Sequence, residues 1–291
     1  MKTILLIAAL TVACRFSGMA APLTESTFTE IINEVNTLNT AGNAAPAKVD
    51  EVLKAPERVR TGPQSRAELT APDKTITRVG ANTVFSYADS GRTLNLEKGC
   101  LLFHPPKGQG GGMIKSGGAA AAVLGTTLIV SATAEGGFKV ILLEGKGQVT
   151  LPNGKSVTLL AGQMVYVLPG GTGFSPVLTI NLDKLVNGSL LIKGFSQELS
   201  SMSLILAAIQ QQNSEIASGK ATDTGLPADA FAGPQPPGNG LNTLNPGTYQ
   251  NAVHQPLTDA QIIQMFFNQS GLSQPGGPGG RNVTAVGAPA G

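Results

Sequence analysis

Tryptophan is absent from the 291 residues, and aromatic side chains make up only 4% of them. Sugar sites and single-strand nucleic-acid sites lean on stacked rings, so most platforms of that kind are removed. Charge is scarce as well, at 13% with a net of +2. No basic field exists to hold nucleic acid or an anionic membrane surface. The two histidines, His104 and His254, stand beside no Cys or carboxylate at metal-ligand spacing, which argues against a zinc site. No G-x-S-x-G elbow supplies a nucleophile. What abounds is Gly, 37 residues, with 19 Pro, a composition expected of one main domain plus tails that do not pack.

The stretch Val140 to Val167, VILLEGKGQVTLPNGKSVTLLAGQMVYV, sets the architecture. Short β-branched and aliphatic runs are broken there by Gly and Asn-Gly, the pattern of strands joined by tight turns. Pro152-Asn153-Gly154-Lys155 reads as a two-residue hairpin turn, because Asn-Gly supplies φ > 0 at its centre. Upstream, VRTG, SRAELTA, TITRVGANTVFSY, TLNLEKGCLLFH, VLGTTLIVSAT and FKVILLEG repeat the theme of strand and break from Val52 onward. The expectation is a mainly β fold, a compact stack of short antiparallel strands and hairpins forming a roll, a sandwich or a short solenoid, followed by C-terminal helices. No room is left for crossover helices, which excludes a doubly wound sheet. Thr27 to Leu38 reads equally as helix or strand, and Asn39 to Lys48 as a loop.

At the N-terminus Lys2, the apolar run Ile4 to Ala13 and Gly18-Met19-Ala20 have the order of a secretory signal cut after Ala20. The rival is a lipobox around Leu10 to Cys14, with a lipid anchor at Cys14, though Thr11 and Arg15 fit it poorly. No later run approaches the length of a membrane span. With Cys14 removed, Cys100 has no disulfide partner in the chain, and its apolar setting, GCLLF, predicts a buried inert thiol.

Residues 181–218 read as a helical extension packing on a β domain of residues 21–180. Asn181 is placed to cap a first helix, and Phe195, Leu199, Met202, Leu206 and Ile209 fall at helical spacing as a packing face. Residues 219–257 read as a Pro- and Gly-rich linker. Within 258–271, Thr258 and Gln261 make a capping box, Ile262, Met265 and Phe266 share a face, and Gly271 stops a short amphipathic helix. Residues 272–291 read as a disordered tail.

Several local motifs resolve to structure. Gly154-Lys155-Ser156 mimics a phosphate loop, but Val149 replaces its first Gly and a strand follows. Gly108-Gln109-Gly110-Gly111-Gly112 mimics a dinucleotide fingerprint yet opens no helix, so it reads as a flexible loop. Glu97, Glu135 and Glu144 could meet in space as a glycosidase pair would, but Glu144 stands beside a turn and is expected to face solvent. Asn187, Asn268 and Asn282 begin glycosylation triplets, common by chance. No residue is assigned as catalytic, cofactor-binding or metal-ligating.

Five blocks in register resemble the FecR domain: Ser65 to Leu69, Thr75 to Tyr87, Thr93 to Phe103, Ala121 to Val130 and Leu143 to Met164. Gly125-Thr126 with Val130, Leu143-Glu144-Gly145 and Ala161-Gly162-Gln163 carry most of the likeness. The resemblance implies an extracytoplasmic β module that works with other proteins and performs no catalysis. In the regulator that gives the family its name, this domain contacts an outer-membrane receptor and relays to a cytosolic sigma factor. Here no cytosolic segment precedes the apolar stretch, so only the domain is carried over. The expected function is a non-catalytic protein-binding or scaffold element of the bacterial envelope, secreted or periplasmic, whose partner is another envelope or surface protein. The alternatives are an extracytoplasmic sensor acting through a separate membrane protein and, third, a polysaccharide-active enzyme.

Overall fold

The fold turns on one long strand that changes sheets half-way. In the computed structural model, residues 20–132 and 137–219 are described. The strands are β1 (Glu25–Ile32), β2 (Val35–Leu38), β3 (Ala44–Pro46), β4 (Val52–Lys54), β5 (Arg58–Thr61), β6 (Arg66–Thr70), β7 (Ile76–Val79), β8 (Val84–Tyr87) and β9 (Thr93–His104). They continue as β10 (Gly112–Ser116), β11 (Ala119–Val123), β12 (Thr127–Ala132), β13 (Phe138–Glu144), β14 (Lys146–Thr150), β15 (Ser156–Leu160), β16 (Gln163–Val167) and β17 (Leu178–Thr179). Three helices follow, α1 (Leu182–Gly188), α2 (Leu190–Lys193) and α3 (Met202–Ala217).

The first half of β9 pairs with β8 and β10, and the second half with β7 and β12. One sheet therefore runs β4–β1–β6–β7–β9–β12–β13–β16–β17 and the other β3–β2–β5–β8–β9–β10–β11–β14–β15. The expectation of a mainly β stack holds. Among the described residues all strand pairings are antiparallel except β9 with β10, which is parallel and corrects the purely antiparallel picture. The switch falls at a bulge where Val84 faces Lys98 and Phe85 faces Leu96, leaving Glu97 unopposed. Glu97 is exposed there and pairs with Arg58 at 3.4 Å.

Between the sheets lies a core that includes Phe28, Leu69, Phe85, Tyr87, Leu101, Phe103, Val130 and Val140. The outer face of the first sheet is buried too, because Leu102, Ile129, Ile141, Leu143 and Tyr166 pack under Leu185, Leu191, Ile205 and Ile209 of the helices. This is the covered sheet; the other is open to solvent on its outer face. Being packed on both sides, β13 buries all seven of its residues, so the usual alternation of apolar and polar positions is lost.

Several local expectations are corrected. Thr27 to Leu38, open between helix and strand in the sequence, falls in β1 and β2, and the expected loop Asn39 to Lys48 is corrected, since it contains β3. The turn between β14 and β15 is longer than a two-residue hairpin: Gly154 alone has positive φ (82°), Gly154 N–H donates to Leu151 O, and Leu151 N–H donates to Lys155 O. That is a type I turn closed by a left-handed Gly, the three-residue solution. Gly110, Gly111 and Gly112 form a packed turn and not a flexible loop. A Cβ would lie 2.0 Å from Ala20 Cβ at the first, 2.0 Å from Val123 O at the second and 2.5 Å from the Phe103 ring at the third. Asn181 caps α1 as its sequence suggests, accepting from Lys184 N–H at 2.9 Å. The face assigned to α3 is off by one position, since Met202, Ile205, Ile209 and Gln212 are buried while Leu206 is exposed. Phe195 precedes the helix.

Candidate functional site

Two places gather polar groups: a buried row beneath the helices and a groove on the open sheet. In the row, Glu68 and Arg78 stand opposite each other on β6 and β7. Arg78 Nε donates to Glu68 Oε2 at 2.7 Å, and Thr29 Oγ1 donates to Glu68 Oε1 at 2.8 Å. The other guanidinium nitrogens donate to Leu191 O (3.2 Å), Ile192 O (2.9 Å) and Gln197 O. The Phe195 ring lies 4.4 Å from the guanidinium carbon. Burial pulls the Arg78 pKa below its ordinary value, and the Glu68 carboxylate opposes that. Beside them Glu30 accepts from Ser196 N–H and Oγ–H. These contacts fasten the α2 end to the covered sheet by satisfying carbonyls a short helix leaves open.

Farther along the same face, Thr127 is the hub of a cluster formed with His104, Glu144 and Ser201. Its Oγ1 lies 2.9 Å from His104 Nδ1, 2.9 Å from Glu144 Oε1 and 2.8 Å from Ser201 Oγ. A hydroxyl has one hydrogen and two lone pairs. With that hydrogen directed to Glu144, Ser201 O–H and His104 Nδ1–H are the donors that complete it. Burial lowers the His104 pKa and raises that of Glu144, the latter opposed by the Thr127 hydrogen bond and the Lys107 charge. Glu144 therefore does not face solvent: it is 3% exposed, a correction, because the turn at Gly145 lies against Thr126 and not in open water. His104 meets a carboxylate 40 positions away only because β12 runs between β9 and β13. The cluster has the groups of acid–base chemistry, with Thr127 and Ser201 essentially fully buried and Glu144 at the border of a hollow of about 610 Å³.

The cluster carries a pH prediction. The unfolded chain protonates His104 near 6.5, while the folded one keeps it neutral to lower pH. The unfolded state then binds more protons, so stability rises with pH in that window and is lost on acidification below about 6.5. Glu144 acts in the opposite sense, holding its proton to higher pH in the fold than its ordinary 4.5. His104→Gln removes only the first effect. Urea midpoints at pH 7 and pH 5 are expected to differ less in His104→Gln than in the unmodified protein, and equal differences refute the assignment.

The groove lies on the outer face of the open sheet, about 850 Å³ in volume. A cross-strand row, Thr93, Met113, Ala122, Gln148 and Thr158, forms its floor. Lys107 and Lys146 stand exposed on its rim, with Leu124, whose side chain is 79% exposed. Arg92 also lines it but is held by Asp73 at 2.7 Å and donates to Gly111 O, which fixes the triple-Gly wall. No Asp or Glu is among the lining residues. The floor ends at β15, which has only β14 as a hydrogen-bonded neighbour among the described residues.

The span from β5 into β14 supplies every lining residue of the groove but Thr158 and most of the buried row, and it is where a family likeness appears. Residues 57–149 match the family model described as FecR protein. The resemblance read from the five blocks thus holds over that span. The FecR match contains Glu68, Arg78, His104, Thr127 and Glu144, while Ser201 and the helices lie outside it. Two crystal structures of a candidate anti-sigma factor from Parabacteroides distasonis ATCC 8503 are similar, at TM-scores of 0.38 and 0.39 and identities of 21% and 22%. The alignments cover 45% and 47% of this chain and 65% and 64% of those chains, less than two thirds of their length. No curated protein matches the chain.

Among the sequence candidates, Glu97 lies in the bulge and Cys100 is buried on β9. Asn187 lies on α1. Cys14, the expected signal up to Met19, Glu135, His254, Asn268, Asn282, most of the expected linker and all of 258–271 and 272–291 lie outside the described residues. Among those described, no three metal-ligating side chains converge and no helix is long and apolar enough to cross a membrane. The groove cations were not legible as a site. The available signal was a gap, since no Asp or Glu occurs between Gly145 and Leu182.

Proposed function

We propose that this chain is a non-catalytic protein-binding module of the bacterial cell envelope, acting outside the cytosol. One observation carries the reading: among the described residues, β15 is an open edge. Leu151 and Lys155 form the hydrogen-bonded pair next to the turn, so by alternation Ser156, Thr158 and Leu160 direct their N–H and C=O groups away from β14. Gln163 Oε1 takes the Leu160 N–H, leaving Ser156 and Thr158 to an incoming strand. Strand addition draws its affinity from such main-chain groups. The non-catalytic part is supported by the burial of Thr127 and Ser201, and the extracytoplasmic part by the order of charge, apolar run and small residues from Lys2 to Ala20.

Thr158→Pro tests it. Proline is tolerated on an edge whose N–H points outward, yet it removes the donor and blocks pairing. The variant is expected to melt within about 2 °C of the original and to lose the envelope proteins that the original retains in affinity capture. Retention of the same proteins by Thr158→Pro would refute the reading.

A further inference from the structure

We infer that β15 receives an acidic extended segment of its partner, with carboxylates meeting Lys107 and Lys146. The inference rests on the protein-binding reading above and adds the partner's chemistry. Lys146 lies opposite Leu160, and Gln148 opposite Thr158. Residues two apart on a strand share a face, so Lys146 points to the same outer side as Gln148 and Thr158 on the groove floor. Lys107 stands on the adjoining loop, lining both this groove and a second hollow bordered by Leu160, Glu144 and Glu215, where its charge also acts on Glu144. A strand added to β15 would carry alternate side chains past both ammonium groups. Lys155 stands at the other end of β15.

The same charges exclude the commonest competitor, a second copy. Antiparallel pairing of two β15 edges would bring Lys155 of each chain toward the Leu160 end of the other, where Lys107 and Lys146 stand. Like charges there oppose self-association, a usual protection for exposed edges. An acidic strand meets attraction at those positions, which speeds and orients its docking. Apolar contact is available at Leu124 and Leu160, 79% and 52% exposed. No aromatic ring lines the groove, which disfavours a sugar polymer as occupant.

The probe is a fluorescent, end-capped decapeptide alternating Glu and Val, titrated into the full chain and followed by anisotropy, with a Lys/Val peptide as control. The Glu peptide is expected to bind at least about tenfold more tightly than the control and to weaken about tenfold from ~50 to ~500 mM salt. Lys107→Glu with Lys146→Glu should reverse the preference, and both sites are exposed, so the fold is expected to survive. Equal binding of the two peptides, or an unchanged preference in the double variant, overturns the inference. So does polygalacturonate that displaces the peptide and binds Thr158→Pro undiminished, which would assign the lysines to an anionic polysaccharide. If envelope proteins still depend on Thr158 while the Glu peptide shows no preference, only the acidic partner is wrong. If Thr158→Pro changes no capture, the protein-binding reading falls with it.

Discussion

Arg78→Met is expected to destabilise the protein by about 3–5 kcal/mol, the usual result of removing one partner from a buried ion pair. Glu68 would stay behind, essentially buried, with only the Thr29 hydroxyl and little water to stabilise its charge. Leu191, Ile192 and Gln197 would lose a donor to their carbonyls at the same time. Methionine fills the space of the stem but supplies none of these hydrogens. Arg78→Lys tests which property matters. It keeps the charge but lacks the planar fork that reaches Glu68 and three carbonyls together, so it should recover less than half of the loss. Equilibrium urea unfolding gives the magnitude, and trypsin gives the location: cleavage after Lys193 should accelerate in both variants before global unfolding. A Met variant within about 1 kcal/mol of the original would show that apolar packing alone holds the helices.

This fastening joins a FecR-matched sheet to helices outside the match, and it was partly legible. Glu68 and Arg78 stand ten positions apart, on two short strands flanking Pro-Asp-Lys, and such a hairpin places opposite charges face to face. What hid it was that nothing in the sequence marks this sheet as covered on its outer face. Glu144 was misplaced for a different reason, its position beside the turn at Gly145. An antiparallel sheet with one wet face alternates, but this one is covered on both faces, so polarity ceases to report direction. The α3 face failed for a related reason. Counting only apolar residues favoured Leu206, whereas the buried side is completed by Gln212, which accepts from Leu182 N–H and donates to Ile180 O. The strands and their Gly breaks were legible because turn chemistry is local. The pairing of β9 with two sheets was not, since nothing in TLNLEKGCLLFH reveals which neighbour each half meets.

That switch makes Gly99→Ala the second large effect, expected at about 2–5 kcal/mol. Gly99 sits where β9 leaves the open sheet for the covered one, at φ 85°. An L side chain at such a φ costs about 1–2 kcal/mol on steric grounds alone. Here the added methyl would also lie 2.2 Å from Thr83 Oγ1 and 2.5 Å from Thr83 Cα. Thr83 cannot yield freely, because its Oγ1 accepts from Cys100 N–H at 3.0 Å and its backbone N–H donates to Thr61 Oγ1 at 2.9 Å. Crowding of that kind adds about 1–3 kcal/mol. Gly154→Ala separates the two contributions, since Gly154 has φ 82° with nothing within 4 Å of the new methyl. Urea unfolding should therefore rank Gly99→Ala well below Gly154→Ala. If the two variants lose the same stability, the backbone angle accounts for everything and the contact with Thr83 does not enforce the strand's passage between sheets.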